Sequence, residues 1–283
     1  MKNYLLGLYE KSMPNDLTWA EKLQAAKVAG FDYVEMSIDE TDAKLARLDM
    51  TDGEVDEIIA AMRAVNLPFR SICLSGHRKY PLGSHDPAVR QRSLDIMQKA
   101  ISLAARLGIR TIQLAGYDVY YEQGDSQTRA DFVDNLKISA LMAAREGVLL
   151  GFETMETPFM DNTRKAMEYV NLVNSPYLGV YPDVGNVTNA CLLYGEDLAD
   201  DFKSGAGHLV AVHLKETVPG KYREIPYGMG HVDFAKAVKT SWDLGVRRFV
   251  AEFRYVKGVT KDWHAELKNA NDFLRKFFEE ATL

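Results

Sequence analysis

The chain has 283 residues, of which 47% are hydrophobic and 26% charged, proportions typical of a globular protein. This composition excludes a disordered chain, and the longest apolar runs have the length of strands rather than of membrane-spanning helices. The formal net charge of −6, with no run of lysine and arginine, argues against a nucleic-acid-binding protein.

Short apolar segments recur along the whole chain, and all but the first follow a glycine or proline that ends a helical stretch. Glycine has a physical reason there, because helices commonly end in a left-handed conformation that glycine adopts without strain. The predicted strands are residues 4–9, 31–36, 69–74, 109–114, 148–153, 177–181, 208–213 and 246–252. A last helix is predicted over residues 263–280.

The alternation of helix and strand predicts the fold. Strands that are linked by helices pair in parallel with right-handed crossovers, and nearly continuous apolar strands suit a sheet that is covered on both faces. Eight such units predict an α/β fold, a single (β/α)8 TIM barrel that forms one domain over residues 1–283. The alternative is an open doubly wound sheet, but residues 9–14 lack its glycine-rich phosphate loop.

Polar residues are concentrated where the predicted strands end, which is where the active site of a TIM barrel lies. The group comprises Tyr9, Glu10, Lys11, Glu35, Ser37, Ser75, His77, Arg78, Gln113, Tyr117, Asp118, Glu153, Glu156, Asp183, His213, Lys215, Glu216 and Glu252. A carboxylate or imidazole in the mouth of an apolar barrel loses its hydration, so an unpaired group would be unfavourable there.

Four of these side chains, from predicted strands five to eight, indicate a metal site. They are Glu153, Asp183, His213 and Glu252. Three carboxylates and one imidazole suit a divalent ion such as Mn²⁺, Co²⁺, Zn²⁺ or Mg²⁺. Each residue also has a structural alternative: a cap or ion pair for either glutamate, a turn for Asp183, or a satisfied core histidine for His213. Their joint placement favours the metal site.

Longer segments resemble a known family along almost the whole chain. They are residues 7–11, 31–42, 112–121, 181–186 and 210–217. These segments are similar to the xylose-isomerase-like barrel superfamily and, within it, to bacterial L-ribulose-5-phosphate (L-xylulose-5-phosphate) 3-epimerases of sugar-acid catabolism such as L-ascorbate degradation. Related nucleases hold three zinc ions, but this chain has Asn186 where they place a histidine, so a trinuclear site is not expected.

The resemblance implies a metal-dependent sugar-phosphate isomerase that inverts C3 of a ketopentose phosphate, L-xylulose 5-phosphate to L-ribulose 5-phosphate, through an enediolate. It implies one divalent metal (Mn, Co, Zn or Mg) on the four residues above, with Glu153 and Glu252 also acting as the acid/base pair. Expected substrate contacts are Lys215, Arg223, Arg78, His77, Gln113 and Asn186. Lys215 and Arg223, followed by Arg78 and Arg254, are the candidates for phosphate binding.

Other activities on the same barrel stay open. The same enediolate could be reprotonated at another carbon or lose water, as in an aldose-ketose isomerase or a keto-sugar dehydratase, and a non-catalytic sugar-phosphate-binding barrel is a further alternative. The expected partner is a small-molecule sugar phosphate, without nucleic acid or membrane, and similar barrels suggest a homodimer. Cys73 and Cys191 lie in different predicted units and predict no disulfide, which together with the absence of a signal peptide indicates a cytoplasmic protein.

Overall fold

The structure of the protein is a computed structural model that describes residues 3–281. Its strands are β1 Leu5–Tyr9, β2 Tyr33–Ile38, β3 Phe69–Leu74, β4 Thr111–Ala115, β5 Leu149–Glu153, β6 Leu178–Tyr181, β7 Val212–Leu214 and β8 Arg248–Ala251. Its α-helices are α1 Trp19–Val28, α2 Asp42–Leu45, α3 Asp52–Val65, α4 Pro87–Leu107, α5 Ser126–Glu146, α6 Thr163–Val173, α7 Val184–Tyr194, α8 Leu198–Ser204, α9 Phe234–Asp243 and α10 Trp263–Ala281. Short 3-10 helices follow β1, α2 and β3.

The strands form one parallel sheet in the order β6-β5-β4-β3-β2-β1-β8-β7. Isolated bridges from Val180 to Leu209 and from Asp183 to His213 join the two outer strands, so the sheet curls into a nearly closed barrel. Helices cover its outer face. The predicted (β/α)8 TIM barrel is therefore confirmed.

Local sequence signals explain where the helices begin and end. Helices α4 and α5 stop at Gly108 and Gly147, which adopt left-handed φ angles of 73° and 64°. The side chain of Thr18 caps α1 and that of Thr51 caps α3, each in a reciprocal pair with the glutamate three residues later. The glycines that precede strands β4 and β5 therefore end the preceding helices, as the sequence predicts.

Strand β7 is shorter than predicted. The sequence predicted residues 208–213, whereas the observed strand is Val212–Leu214. Gly207 has φ 81° and His208 donates its backbone N–H to the Gly205 carbonyl, so His208 lies in a turn, and Leu209 forms only an isolated bridge. The predicted last helix agrees with α10 to within one residue.

The interior of the barrel is filled by a small layer of side chains directly beneath the polar strand ends. This layer consists of Tyr9, Tyr33, Cys73, Tyr181, Ala211 and Val250, with Leu5 packed against it. A much larger apolar cluster lies between the strands and the surrounding helices. The interior layer closes the barrel below the mouth, so that a ligand can approach only from the strand ends.

A buried ion cluster fastens β1 to the helices outside it. Glu10 is 1% exposed, and its carboxylate contacts the ammonium groups of Lys22 and Lys44 at 2.7 and 2.8 Å. Arg47 adds two contacts, from Nη1 to Oε2 at 2.6 Å and from Nη2 to Oε1 at 2.8 Å. Three cations therefore surround a single carboxylate, and burial lowers the pKa of Lys44 to about 8.

Among the described residues, no helix is both long enough and apolar enough to cross a bilayer. Cys73 and Cys191 are free thiols, and both are buried.

Candidate metal centre and active site

Four polar side chains converge at the mouth of the barrel. Glu153 ends β5, Asp183 follows β6, His213 lies in β7 and Glu252 directly follows β8. One potential ligand atom of each lies within 4.8 Å of those of the other three. Because the carboxyl ends of parallel strands meet on one side of the sheet, residues up to 99 positions apart become neighbours.

The imidazole of His213 connects this cluster to the barrel interior. Its Nδ1 lies 3.0 Å from Glu153 Oε1 and 2.8 Å from Glu252 Oε2. Its Nε2 lies 2.6 Å from Glu35 Oε1, on the opposite side of the ring. His213 is 1% exposed, so both ring nitrogens contact carboxylates in a site that excludes solvent.

The two carboxylate oxygens of Asp183 have different surroundings. Its Oδ1 accepts the backbone N–H of Asn186 at 2.7 Å, which caps helix α7. Its Oδ2 is buried, makes no hydrogen bond and has the ammonium of Lys215 at 3.0 Å. The capping oxygen fixes the side chain, and the second oxygen is left facing the cluster.

Burial and neighbouring charges shift the pKa values of the three carboxylates in the cluster. Burial raises the pKa of Asp183 to about 8, and burial together with the charge of Glu252 raises the pKa of Glu153. For Glu252, the charges of Lys215 and His213 outweigh burial and hold its pKa well below the usual range. Three carboxylates in so small a volume repel one another, and a divalent cation would relieve this repulsion, with the Asp183 oxygen that faces Lys215 as one of its possible ligands. The donor set therefore fits such an ion.

Glu153 and Glu252 line a cleft of about 200 Å³, and Asp183 and His213 lie next to them, just outside its lining. Its wall carries basic side chains, namely Lys11, Arg78, Lys215, Arg223 and Arg254. Arg223 pairs with Glu156 at 2.6 Å, and the guanidinium of Arg78 lies 4.8 Å from the ring centre of Tyr120. Arg254 forms no ion pair with any residue in the described part of the chain, so its charge is available to a ligand.

The loop that carries Arg223 is held in place by Glu216. The two carboxylate oxygens of Glu216 accept the backbone N–H groups of Gly228 and Val232 at 3.0 and 3.1 Å. A Cβ atom at Gly230 would lie 2.1 Å from the Thr217 carbonyl oxygen, so only glycine permits this close approach. Glu216 is thus a structural anchor beside the cleft.

The structure brings together most of the predicted substrate contacts. Lys215, Arg223, Arg78 and Asn186 line the cleft. Gln113 is fully buried, and its amide donates to Glu153 Oε2, which fixes the orientation of that carboxylate.

His77 lies away from the cleft. The 3-10 turn Ser75–Arg78 directs its ring toward helix α4, where Nε2 contacts the Ser93 carbonyl at 3.1 Å. Burial lowers the pKa of His77 to about 4, and the ring is a neutral packing group. The structure does not support the prediction of His77 as a substrate contact.

Comparison with protein families gives a match over residues 23–277 to the family described as xylose isomerase-like TIM barrel. The chain is 46% identical over 239 residues to the L-ribulose-5-phosphate 3-epimerase UlaE of Salmonella paratyphi A. That alignment covers 84% of this chain and 83% of the relative. The enzyme of the same name from Salmonella typhimurium is equally similar, with the same identity and coverage.

Solved structures with this fold include an L-ribulose 3-epimerase, which is 19% identical with a TM-score of 0.80 over 99% of this chain and 96% of that chain. A D-allulose 3-epimerase from Methylomonas sp. in complex with D-allulose gives a TM-score of 0.79 at 19% identity, covering 98% of each chain. These structures confirm the barrel, and the sequence relatives confirm the resemblance that the sequence segments indicated.

Proposed function

The chain belongs to the xylose isomerase-like TIM-barrel family, and from this we propose that it is a metal-dependent L-ribulose-5-phosphate 3-epimerase. The reaction interconverts L-xylulose 5-phosphate and L-ribulose 5-phosphate by inverting C3, a step suited to L-ascorbate degradation. The observation that carries the proposal is the convergence of Glu153, Asp183, His213 and Glu252 at the barrel mouth, beside a cleft whose wall carries lysine and arginine side chains. The 46% identity to enzymes of that name supports the same substrate.

The four converging residues would hold one divalent cation, Mn²⁺, Co²⁺, Zn²⁺ or Mg²⁺. When bound, such an ion supplies Lewis-acid polarisation of the oxygens next to the reacting carbon. Gln113 orients Glu153, and the Asn186 backbone orients Asp183, so both carboxylates are held before substrate binds.

Glu153 and Glu252 would be the catalytic acid and base. One carboxylate removes the C3 proton, the bonding electrons pass into an enediolate across C2 and C3, and the other carboxylate delivers a proton to the opposite face. Both side chains contact the same nitrogen of His213, at 3.0 and 2.8 Å, so the two carboxylates are close enough to act on one substrate carbon. No redox cofactor is needed, because the proton next to the C2 carbonyl leaves and returns as a proton.

The phosphate would bind at the rim of the cleft, away from the carboxylates. Lys215 forms an ion pair with Asp183, so its charge lies beside the converging carboxylates and not at the rim of the cleft. Arg78, Arg223 and Arg254 line the same cleft, and Arg254 has no ion pair to break among the described residues. A phosphate there would be bound by charge-assisted hydrogen bonds.

Replacement of Arg254 by alanine is expected to raise KM for L-ribulose 5-phosphate about 10- to 100-fold, because a hydrogen bond to a charged group contributes about 1.5–3 kcal/mol. Steady-state kinetics with the phosphorylated and the unphosphorylated ketose measure the effect, and only the former should change. Arg145→Ala, on the exposed surface of α5, is the matched control. An unchanged KM for the phosphorylated sugar would remove Arg254 from the phosphate site.

The reaction itself is tested with L-ribulose 5-phosphate in D₂O. We expect deuterium at C3 of recovered substrate and product, loss of turnover after chelator treatment, and restoration by Mn²⁺, Co²⁺ or Zn²⁺. Full activity of the metal-free protein would contradict the proposal. Label at C1 with formation of an aldose would identify an aldose-ketose isomerase, loss of water a dehydratase, and binding without turnover a non-catalytic barrel.

Assembly and location are part of the same proposal. We infer one domain, a homodimer, and a cytoplasmic protein that binds neither nucleic acid nor membrane. Two buried free thiols are compatible with a reducing compartment. Analytical ultracentrifugation measures the assembly, and a monomer at micromolar concentration would contradict the dimer.

A further inference from the structure

We propose that Glu35 is a positioning residue for the metal site: it holds the His213 ring so that Nδ1 faces the cluster, and thereby sets the affinity for the cation. Glu35 is not among the residues that reach the centre of the cluster. The inference rests on the proposed function, because it assumes that His213 is a ligand.

The contacts of Glu35 are divided between its two oxygens. Oε1 lies 2.6 Å from His213 Nε2. Oε2 accepts the hydroxyl of Ser71 at 2.6 Å and that of Tyr181 at 3.0 Å. Two donors on one oxygen fix the carboxylate, and the other oxygen is reserved for the imidazole.

Packing alone does not explain why a glutamate occupies position 35. The side chain is 0% exposed and contacts Tyr181 of the interior layer, whose members are tyrosine, cysteine, alanine and valine. A buried carboxylate is unfavourable unless its hydrogen bonds are complete, and an apolar residue would fill this space without that penalty. The contact with His213 is the feature that an apolar residue would lose.

The chemistry follows from the two ring nitrogens. A cation bound at Nδ1, on the side of Glu153 and Glu252, would take the place of a proton on that nitrogen, while Nε2–H donates to Glu35. The Tyr181 ring packs edge-on against the imidazole, with ring centres 4.9 Å apart, and limits its rotation. A carboxylate behind a ligating histidine fixes its tautomer and orientation and strengthens it as a ligand.

The test compares Co²⁺ affinity in three proteins by competition with a chromophoric chelator. Glu35→Gln keeps the size of the side chain and removes its charge, and we expect the Kd for Co²⁺ to rise about 10- to 100-fold, with a changed visible spectrum of the bound ion. Ser71→Ala removes one of the two hydrogen bonds that fix the other oxygen of Glu35 but keeps its charge and the His213 contact, so the Kd should rise less than in Glu35→Gln. An unchanged Kd in Glu35→Gln, or equal losses in both variants, would overturn the inference.

A measurement on the wild-type protein covers the case in which Glu35→Gln does not fold. Nitrogen-15 NMR of the zinc-loaded protein should show His213 protonated on Nε2, with a proton that exchanges slowly because it is buried against Glu35. A proton on Nδ1, or rapid exchange at Nε2, would contradict the inference. If wild-type protein binds no cation at all, the proposed function fails first; normal binding with an unaffected Glu35 variant refutes only the positioning function.

Discussion

Replacing Glu153 or Glu252 with glutamine is expected to lower kcat for L-ribulose 5-phosphate about 10²- to 10⁴-fold, the usual contribution of a positioned acid or base. Glutamine keeps the volume and one carbonyl oxygen but cannot take up a proton. Each variant should still exchange the C3 proton of one epimer with solvent, because one base remains, while inversion is blocked. Kinetics at saturating cation, with the metal content of each protein measured in parallel, give the result.

Glu168→Gln is the matched control, since Glu168 lies on the exposed face of helix α6, away from the barrel mouth. It should retain wild-type kcat. If either site variant retains full activity with cation bound, the two-base mechanism is wrong. If both lose the cation entirely, the experiment is repeated at higher cation concentration, and recovery of full kcat there would also contradict an acid/base function.

Replacing Glu10 with glutamine is expected to lower the free energy of unfolding by about 3–5 kcal/mol, the usual effect of removing one partner from a buried ion pair. The change would leave Lys22, Lys44 and Arg47 around an uncharged amide. Burial alone would raise the pKa of Glu10, but the hydrogen bond and charge of Arg47 and the lysine charges outweigh it and hold the pKa well below 4.5.

The direction of the pH dependence follows from this lowered pKa. The stabilisation by Glu10 is fully present above the ordinary glutamate pKa of 4.5 and is lost as the pH falls below that value, because the unfolded chain takes up the proton first. Urea unfolding at pH 7 and at pH 4 should therefore show a smaller difference between wild type and Glu10→Gln at the lower pH.

The exposed pair Lys268–Asp272 on helix α10 provides the control for Glu10. Asp272→Asn should change the unfolding free energy by less than about 0.5 kcal/mol, because solvent screens surface ion pairs. A Glu10→Gln protein as stable as wild type would show that the ion cluster does not stabilise the fold.

The sequence could locate the four converging residues because their positions depend only on strand ends. Once helix-linked strands are recognised, parallel pairing brings the end of each strand to the same rim, whatever the details of packing. Glu153 and Glu252 were therefore predictable without knowing which side chains touch. The distances of at most 4.8 Å between the potential ligand atoms depend on the register of the barrel strands. The alternation of helices and strands in the sequence does not specify that register.

Other residues could not be placed by the same rule, because successive strand residues point to opposite faces. Tyr9 belongs to the interior layer, so Glu10 points outward to Lys22 of helix α1. Glu35 lies deeper than the strand end, and its contact with His213 crosses the barrel between β2 and β7. The signal for Glu35 was a glutamate within a largely apolar strand. The sequence placed His77 at the cleft because it follows β3. Its side chain instead points toward α4, a direction that depends on packing in the 3-10 turn.

The most direct test is a crystal structure of the protein with Mn²⁺ and L-ribulose 5-phosphate, recorded with anomalous scattering from the metal. We predict one ion bound by Glu153, Asp183, His213 and Glu252, with C3 of the sugar between the two glutamates and the phosphate near Arg254. A substrate bound in the cleft without an ion, or with both glutamates on the same side of C3, would contradict the proposal.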